Sequence, residues 1–107
     1  MTLADRYDRA RVFFEAGDYI RAAKQLAEVV AEAPDNLAAR LLLARAYYHS
    51  AQLTRAEVTL REVIERDPSE AYAHLMLGRV LQRQSRHDDA VGPLRLAAAM
   101  SDYVEVD

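Results

Sequence analysis

Apolar positions along this chain return every three or four residues. Leu41, Ala44 and Tyr48 keep that spacing, as do Leu75, Gly78 and Leu81. Side chains so spaced share one face of an α-helix. Sustained two-residue alternation is confined to residues 102–107. The pattern therefore predicts helix almost throughout, and the breaks are explicit. Gly17-Asp18 ends one helix and lets Asp18 cap the next. Ala33-Pro34-Asp35-Asn36 and Asp67-Pro68-Ser69-Glu70 are connectors, because a residue before proline is driven out of the αR region. Thr54 and Glu57 have capping-box spacing. Ser85 to Asp89 reads as a turn that leaves Asp88 and Asp89 in a first helical turn, where carboxylates are favoured.

A longer period overlies the helical one. Pro34 and Pro68 are 34 residues apart. The same step relates Ala22, Ala56 and Ala90; Leu26, Leu60 and Leu94; Ala10, Ala44 and Gly78; Phe13, Tyr47 and Leu81; and Val29, Val63 and Ala97. Three copies span residues 3–36, 37–70 and 71–104. Small residues at two of these columns let paired helices approach closely, while the larger ones fill the seam between them. A period of this length with helical composition marks a helical-hairpin repeat. The sequence resembles the tetratricopeptide repeat family. That resemblance implies an all-α fold in which three antiparallel helix hairpins stack as a right-handed superhelix over residues 1–101, followed by a short acidic tail, 102–107.

Some columns depart from the family pattern. Arg6, Arg40 and His74 stand where a bulky aromatic is usual. Arg9 replaces a leucine that Leu43 and Leu77 retain, so the first repeat is expected to pack more loosely. Asp102 replaces a closing proline, and Gly92-Pro93 falls inside a helix, where proline removes one backbone bond and favours a bend.

Composition narrows the function classes. Hydrophobic residues make up 51% and charged residues 29% of the 107, a globular balance. Cysteine is absent, which removes disulfides, thiolate metal sites and cysteine nucleophiles. No apolar run approaches the roughly 20 residues that cross a bilayer. Met1 to Arg11 carries mixed charges and no apolar segment of the signal-peptide kind. A cytoplasmic protein without a membrane partner is the expectation. The net charge of −3 argues against nucleic acid. His49, His74 and His87 lie on different copies without ligand spacing, no glycine-rich phosphate loop occurs, and no serine has a nucleophile signature. Neither an enzyme, a metal nor a cofactor is expected.

The candidate chemistry is recognition. The resemblance implies that the first helix of each hairpin lines a concave groove that holds extended peptides. Helical spacing then names a stripe of Tyr7, Arg11 and Phe14 in the first copy, Leu41, Arg45 and Tyr48 in the second, and Tyr72, Leu75, Arg79 and Gln82 in the third, flanked by His49 and Arg83. Arg11, Arg45 and Arg79 repeat at the 34-residue step. Asp8 and Glu15 can neutralise Arg11 within its helix, whereas Arg45 and Arg79 have no acid at those spacings. Aromatic and arginine side chains are enriched at binding hot spots. An exposed ion pair contributes only about 0–1 kcal/mol, and micromolar affinity needs about 8 kcal/mol. The expected partner is therefore a protein segment with both acidic and apolar side chains.

Some family members clamp chaperone termini ending Glu-Glu-Val-Asp with lysine, asparagine and arginine. Tyr7, Arg11, Leu42, Tyr72 and Met76 occupy those places here, and only Arg11 is a polar donor, so that clamp does not carry over. The chain itself ends Tyr103-Val104-Glu105-Val106-Asp107, and this tail could enter the groove of a neighbouring copy. Repeat arrays also need a polar helix over their last apolar face. Val91, Leu94, Ala98 and Met100 would otherwise remain open, which makes self-association through the third repeat the alternative role.

Overall fold

The computed structural model describes residues 1–100. Six helices follow in order: α1 (Leu3–Glu15), α2 (Tyr19–Glu32), α3 (Leu37–His49), α4 (Leu53–Arg66), α5 (Ala71–Arg83) and α6 (His87–Met100). They pair as α1 with α2, α3 with α4 and α5 with α6, and the pairs stack through α2 on α3 and α4 on α5. None of these helices is long and apolar enough to cross a membrane. The tail 102–107 lies outside the described residues.

The caps satisfy helix N–H groups that have no partner inside their own helix. Thr2 and Asp5 form a reciprocal capping box. Asp18 accepts from the Arg21 N–H at 3.2 Å and Asn36 from the Ala39 N–H at 3.0 Å. Helix α4 differs from expectation. It begins one residue before Thr54, its N-cap is Gln52, and it has no side-chain cap bond. Glu57 is drawn instead into a fork, accepting from Arg61 Nε at 3.1 Å and from Arg86 Nη1 at 2.8 Å. Burial pushes the Glu57 carboxyl pKa up, but Arg61 and Arg86 outweigh it and hold it below the usual value. Helix α6 continues through Pro93.

Each hairpin turns in the same way. Gly17, Ala51 and Ser85 occupy one column and take φ of 82°, 60° and 61°. The residue after each donates five positions back, Asp18 to Phe13 O at 2.9 Å, Gln52 to Tyr47 O at 2.8 Å and Arg86 to Leu81 O at 2.8 Å. This is the Schellman closure, which requires a left-handed residue. Only the first hairpin supplies a glycine for it.

The small-residue seams are fully packed. Ala10, Ala22, Ala44 and Ala56 are inaccessible, together with Leu26 and Leu60. In the third hairpin a Cβ on Gly78 would come within 2.5 Å of Leu94 Cγ. Leu94 therefore turns onto α5 and fills the space beside Gly78 rather than standing on an open end face. Tyr47 packs against both halves of the core and joins them.

The column that lacks the family aromatic has a polar task. Arg40, only 6% exposed, donates from Nη2 to Pro34 O at 2.9 Å and pairs through Nη1 with Glu62 at 3.1 Å. His74 donates from Nε2 to Pro68 O at 2.8 Å. Arg6 pairs with Glu32. A charged or imidazole side chain thus ties the start of each first helix to a connector or to the second helix. Arg66 adds a second donor to Pro34 O, at 3.1 Å, and reaches Asp35 at 3.2 Å.

Candidate interaction surface

Helices α1, α3 and α5 present a common face because one side of each is taken up by its hairpin partner. On that face a guanidinium bridges three repeats. Arg45 lies 4.9 Å from the ring centre of Phe14 on α1 and 5.7 Å from that of Tyr72 on α5. Such contacts are worth about 0.5–2 kcal/mol, more when water is excluded. Arg45 Nε is buried without a hydrogen-bond partner. Arg83 lies 4.9 Å from the Tyr48 ring and donates to Tyr48 O at 3.2 Å. Among the described residues, no carboxylate comes within ion-pair distance of Arg45 or Arg83. Arg11 does pair with Glu15, at 3.8 Å.

The aromatic side chains extend this face sideways. His49 stacks on Tyr19 with ring centres 4.6 Å apart and 24° between planes, and it meets Phe14 and Tyr48 edge-on. Burial, then the charges of Arg45 and Arg83, hold the His49 pKa below its ordinary value. A cavity of about 210 Å³ opens between α1 and α3, lined by Arg11, Phe14, Glu15, Leu42 and Arg45.

The structure thus brings Arg11, Phe14, Arg45, Tyr48, His49, Tyr72 and Arg83 into one continuous patch. Tyr7 and Leu41 are half-buried and lean on the core. Leu75 is buried beneath the face rather than on it. Arg79 is half-buried on α5 and Gln82 is exposed beside it. Tyr19 belongs to the patch although sequence spacing did not point to it.

A second concavity lies on the opposite side, between α4 and α6. It measures about 840 Å³ and is lined chiefly by Ile64, His74, Leu77, Pro93, Leu96 and Ala99. One column signals it in the sequence, where Glu28 and Glu62 give way to Leu96. Of the four residues expected at an open third repeat, Val91 and Ala98 are exposed, Met100 is half-buried, and Leu94 faces α5. Among the described residues, no histidine and carboxylate cluster could hold a metal ion.

Residues 13–80 match the tetratricopeptide repeat family. No curated protein matches the sequence. Several solved structures share the fold. MamA from Desulfovibrio magneticus RS-1, from residue 41 to its end, is 25% identical with a TM-score of 0.88, over 98% of this chain and 59% of that one. An RS-1 MamA double mutant is 26% identical with a TM-score of 0.87, over 92% and 56%. MamA of AMB-1 is 17% identical with a TM-score of 0.91, over 94% and 60%. The chain spans 56–60% of the length of these three proteins.

Proposed function

The chain belongs to the tetratricopeptide repeat family, and on that premise we propose that this protein–protein interaction scaffold holds an extended segment, acidic and partly apolar, against the face of α1, α3 and α5. The observation that carries the reading is Arg45. Its guanidinium is held between rings from the first and third repeats, and no carboxylate among the described residues neutralises it. An arginine beside aromatic rings can still grip a carboxylate through its terminal NH groups. Arg45 and Arg79 read charge, with Arg11 and Arg83 as helpers. Tyr48, Tyr72 and Phe14 supply the apolar contact that charge alone cannot provide.

The test is the double variant Arg45→Glu with Arg79→Glu. Pull-down should lose the partners of the wild-type chain while circular dichroism keeps its helicity. Recovery of the same partners by a folded variant rejects the assignment.

A second reading is self-association through α6, favoured by exposed Val91 and by exposed Leu96 at the apolar α4–α6 concavity. It predicts a mass that rises with concentration and falls back to monomer in Leu96→Glu. A mass independent of concentration rejects it.

A further inference from the structure

We propose that the apolar concavity between α4 and α6 seats α6 of a second copy of this chain, the two molecules related by a two-fold axis perpendicular to α6 at the level of Ala97. Leu96 then meets Leu96, and Arg95 of each copy meets the partner's Glu65. This rests on the self-association reading and adds its register and its charge code.

The third hairpin opens what the second hairpin closes. One repeat earlier, Arg40 on α3 and Glu62 on α4 stand at the positions of His74 and Leu96, and they pair at 3.1 Å. In the third hairpin His74 turns to the Pro68 carbonyl at 2.8 Å, and a leucine stands in place of the carboxylate. The result is a concavity of about 840 Å³ with Ile64, Leu77 and Pro93 in its lining and Leu96, 45% exposed, among them. An apolar hollow beside an exposed leucine holds both halves of a knob-into-hole contact. A second copy brings the same two halves, as a two-fold interface requires.

The charges on the two sides are self-complementary. Glu65 on α4 and Arg95 on α6 both line the concavity and both are exposed. Among the described residues neither makes an ion pair, so they do not meet each other across the groove. Arg61, which also lines it, is already paired with Glu57 at 3.1 Å. An acid on one side and a base on the other suit a partner that carries the same two charges in reverse order. A two-fold copy carries them so.

Register agrees. Helices α4 and α6 are the second helices of successive hairpins, so the 34-residue step relates positions at one level. Glu65 is level with Ala99. Residues 95 and 99 lie equally far from 97 along α6, so the axis carries Arg95 to the level of the partner's Glu65. Leu96 falls about 1.5 Å of helix rise from the axis and faces its own counterpart. Ala98 and Ala99 are exposed and short, which lets the two α6 helices come close.

The test is charge reversal with complementation, read by sedimentation equilibrium of the whole chain, with circular dichroism checking each variant. Glu65→Arg alone sets arginine against arginine, and Arg95→Glu alone sets glutamate against glutamate. Each should weaken dimerisation about tenfold or more. An equimolar mixture of the two variants should regain the wild-type affinity, because every cross pair is again opposite in sign. Singles as tight as wild type, or a mixture no tighter than weakened singles, overturn the inference; if Leu96→Glu is still monomeric, self-association through α6 stands. A single-chain mass at every concentration overturns both. A wild-type mass that grows past two chains overturns the closed two-fold pair.

The absence of native cysteine permits a second arm. Leu96→Cys should oxidise to a linked dimer faster than Val12→Cys, which is 63% exposed on α1. Equal rates would mark random collision and overturn the inference.

Discussion

Helices α1 and α5 occupy equivalent places in the repeat, yet α1 buries a single residue, Ala10, while α5 buries nine. One column shows the reason. Val12, Ala46 and Val80 are related by the 34-residue step, and their exposures are 63%, 0% and 0%. The valine is the same at both ends, so propensity is not the cause. Helix α5 has α4 on one side and α6 on the other, whereas α1 packs on α2. The sequence of α1 accommodates this with Asp5, Asp8 and Arg9 on the outer side, where α5 has Ala73, Met76 and Leu77. In a stacked array, stability resides in the interfaces between neighbours rather than in the hairpins themselves.

The sharpest test of this difference is one substitution made twice. Val80→Ala should cost about 2 kcal/mol, from lost burial plus the space left behind. Val12→Ala should stay within about 0.5 kcal/mol of wild type. Urea titration measures both, and equal losses would break the comparison. The hairpin turns provide the next test. Gly17→Ala should cost about 1 kcal/mol, because alanine at φ 82° is strained. Ala51→Gly should move stability up by a similar amount, and thermal melts of the pair would show the opposite signs. Native-state hydrogen exchange should then show α1 amides opening more readily than those of α5. Uniform protection along the chain would contradict a stack held by its interfaces.

The smallest effect expected is a pH dependence at the boundary between the first and second hairpins. The His49 pKa in the folded chain lies below the ordinary 6.5. The unfolded chain therefore takes up the proton first as pH falls below that value, and stability declines until the folded form is protonated too. His49→Gln should flatten this shallow slope in urea midpoints measured between pH 7 and pH 5. An unchanged slope would assign it to other groups.

Much of this was legible in the sequence. Columns 34 residues apart must be small or apolar wherever helices cross, so the step survives in Ala10, Ala44 and Gly78 even where little else repeats. The aromatic and arginine positions that share the α1–α3–α5 face followed from the same register. Other features depend on packing that spacing does not encode. Tyr19 and His49 are 30 residues apart and meet only because two hairpins stack. The left-handed residues at Ala51 and Ser85 were hidden because only Gly17 carries the usual signature. Thr54 and Glu57 have the right spacing for a cap but sit inside a helix that starts one residue earlier.

The proline connectors have a consequence for how the chain meets an endoprotease. Cleavage requires a stretch of backbone to leave the fold and lie extended in the enzyme. Around Pro34 that departure must strip two guanidinium groups, Arg40 and Arg66, from one carbonyl, and they come from two different helices. Around Pro68 the side-chain donor on the corresponding carbonyl is, among the described residues, the single imidazole of His74. Limited digestion should nick the second connector well before the first, releasing the α1–α4 segment as a longer-lived fragment.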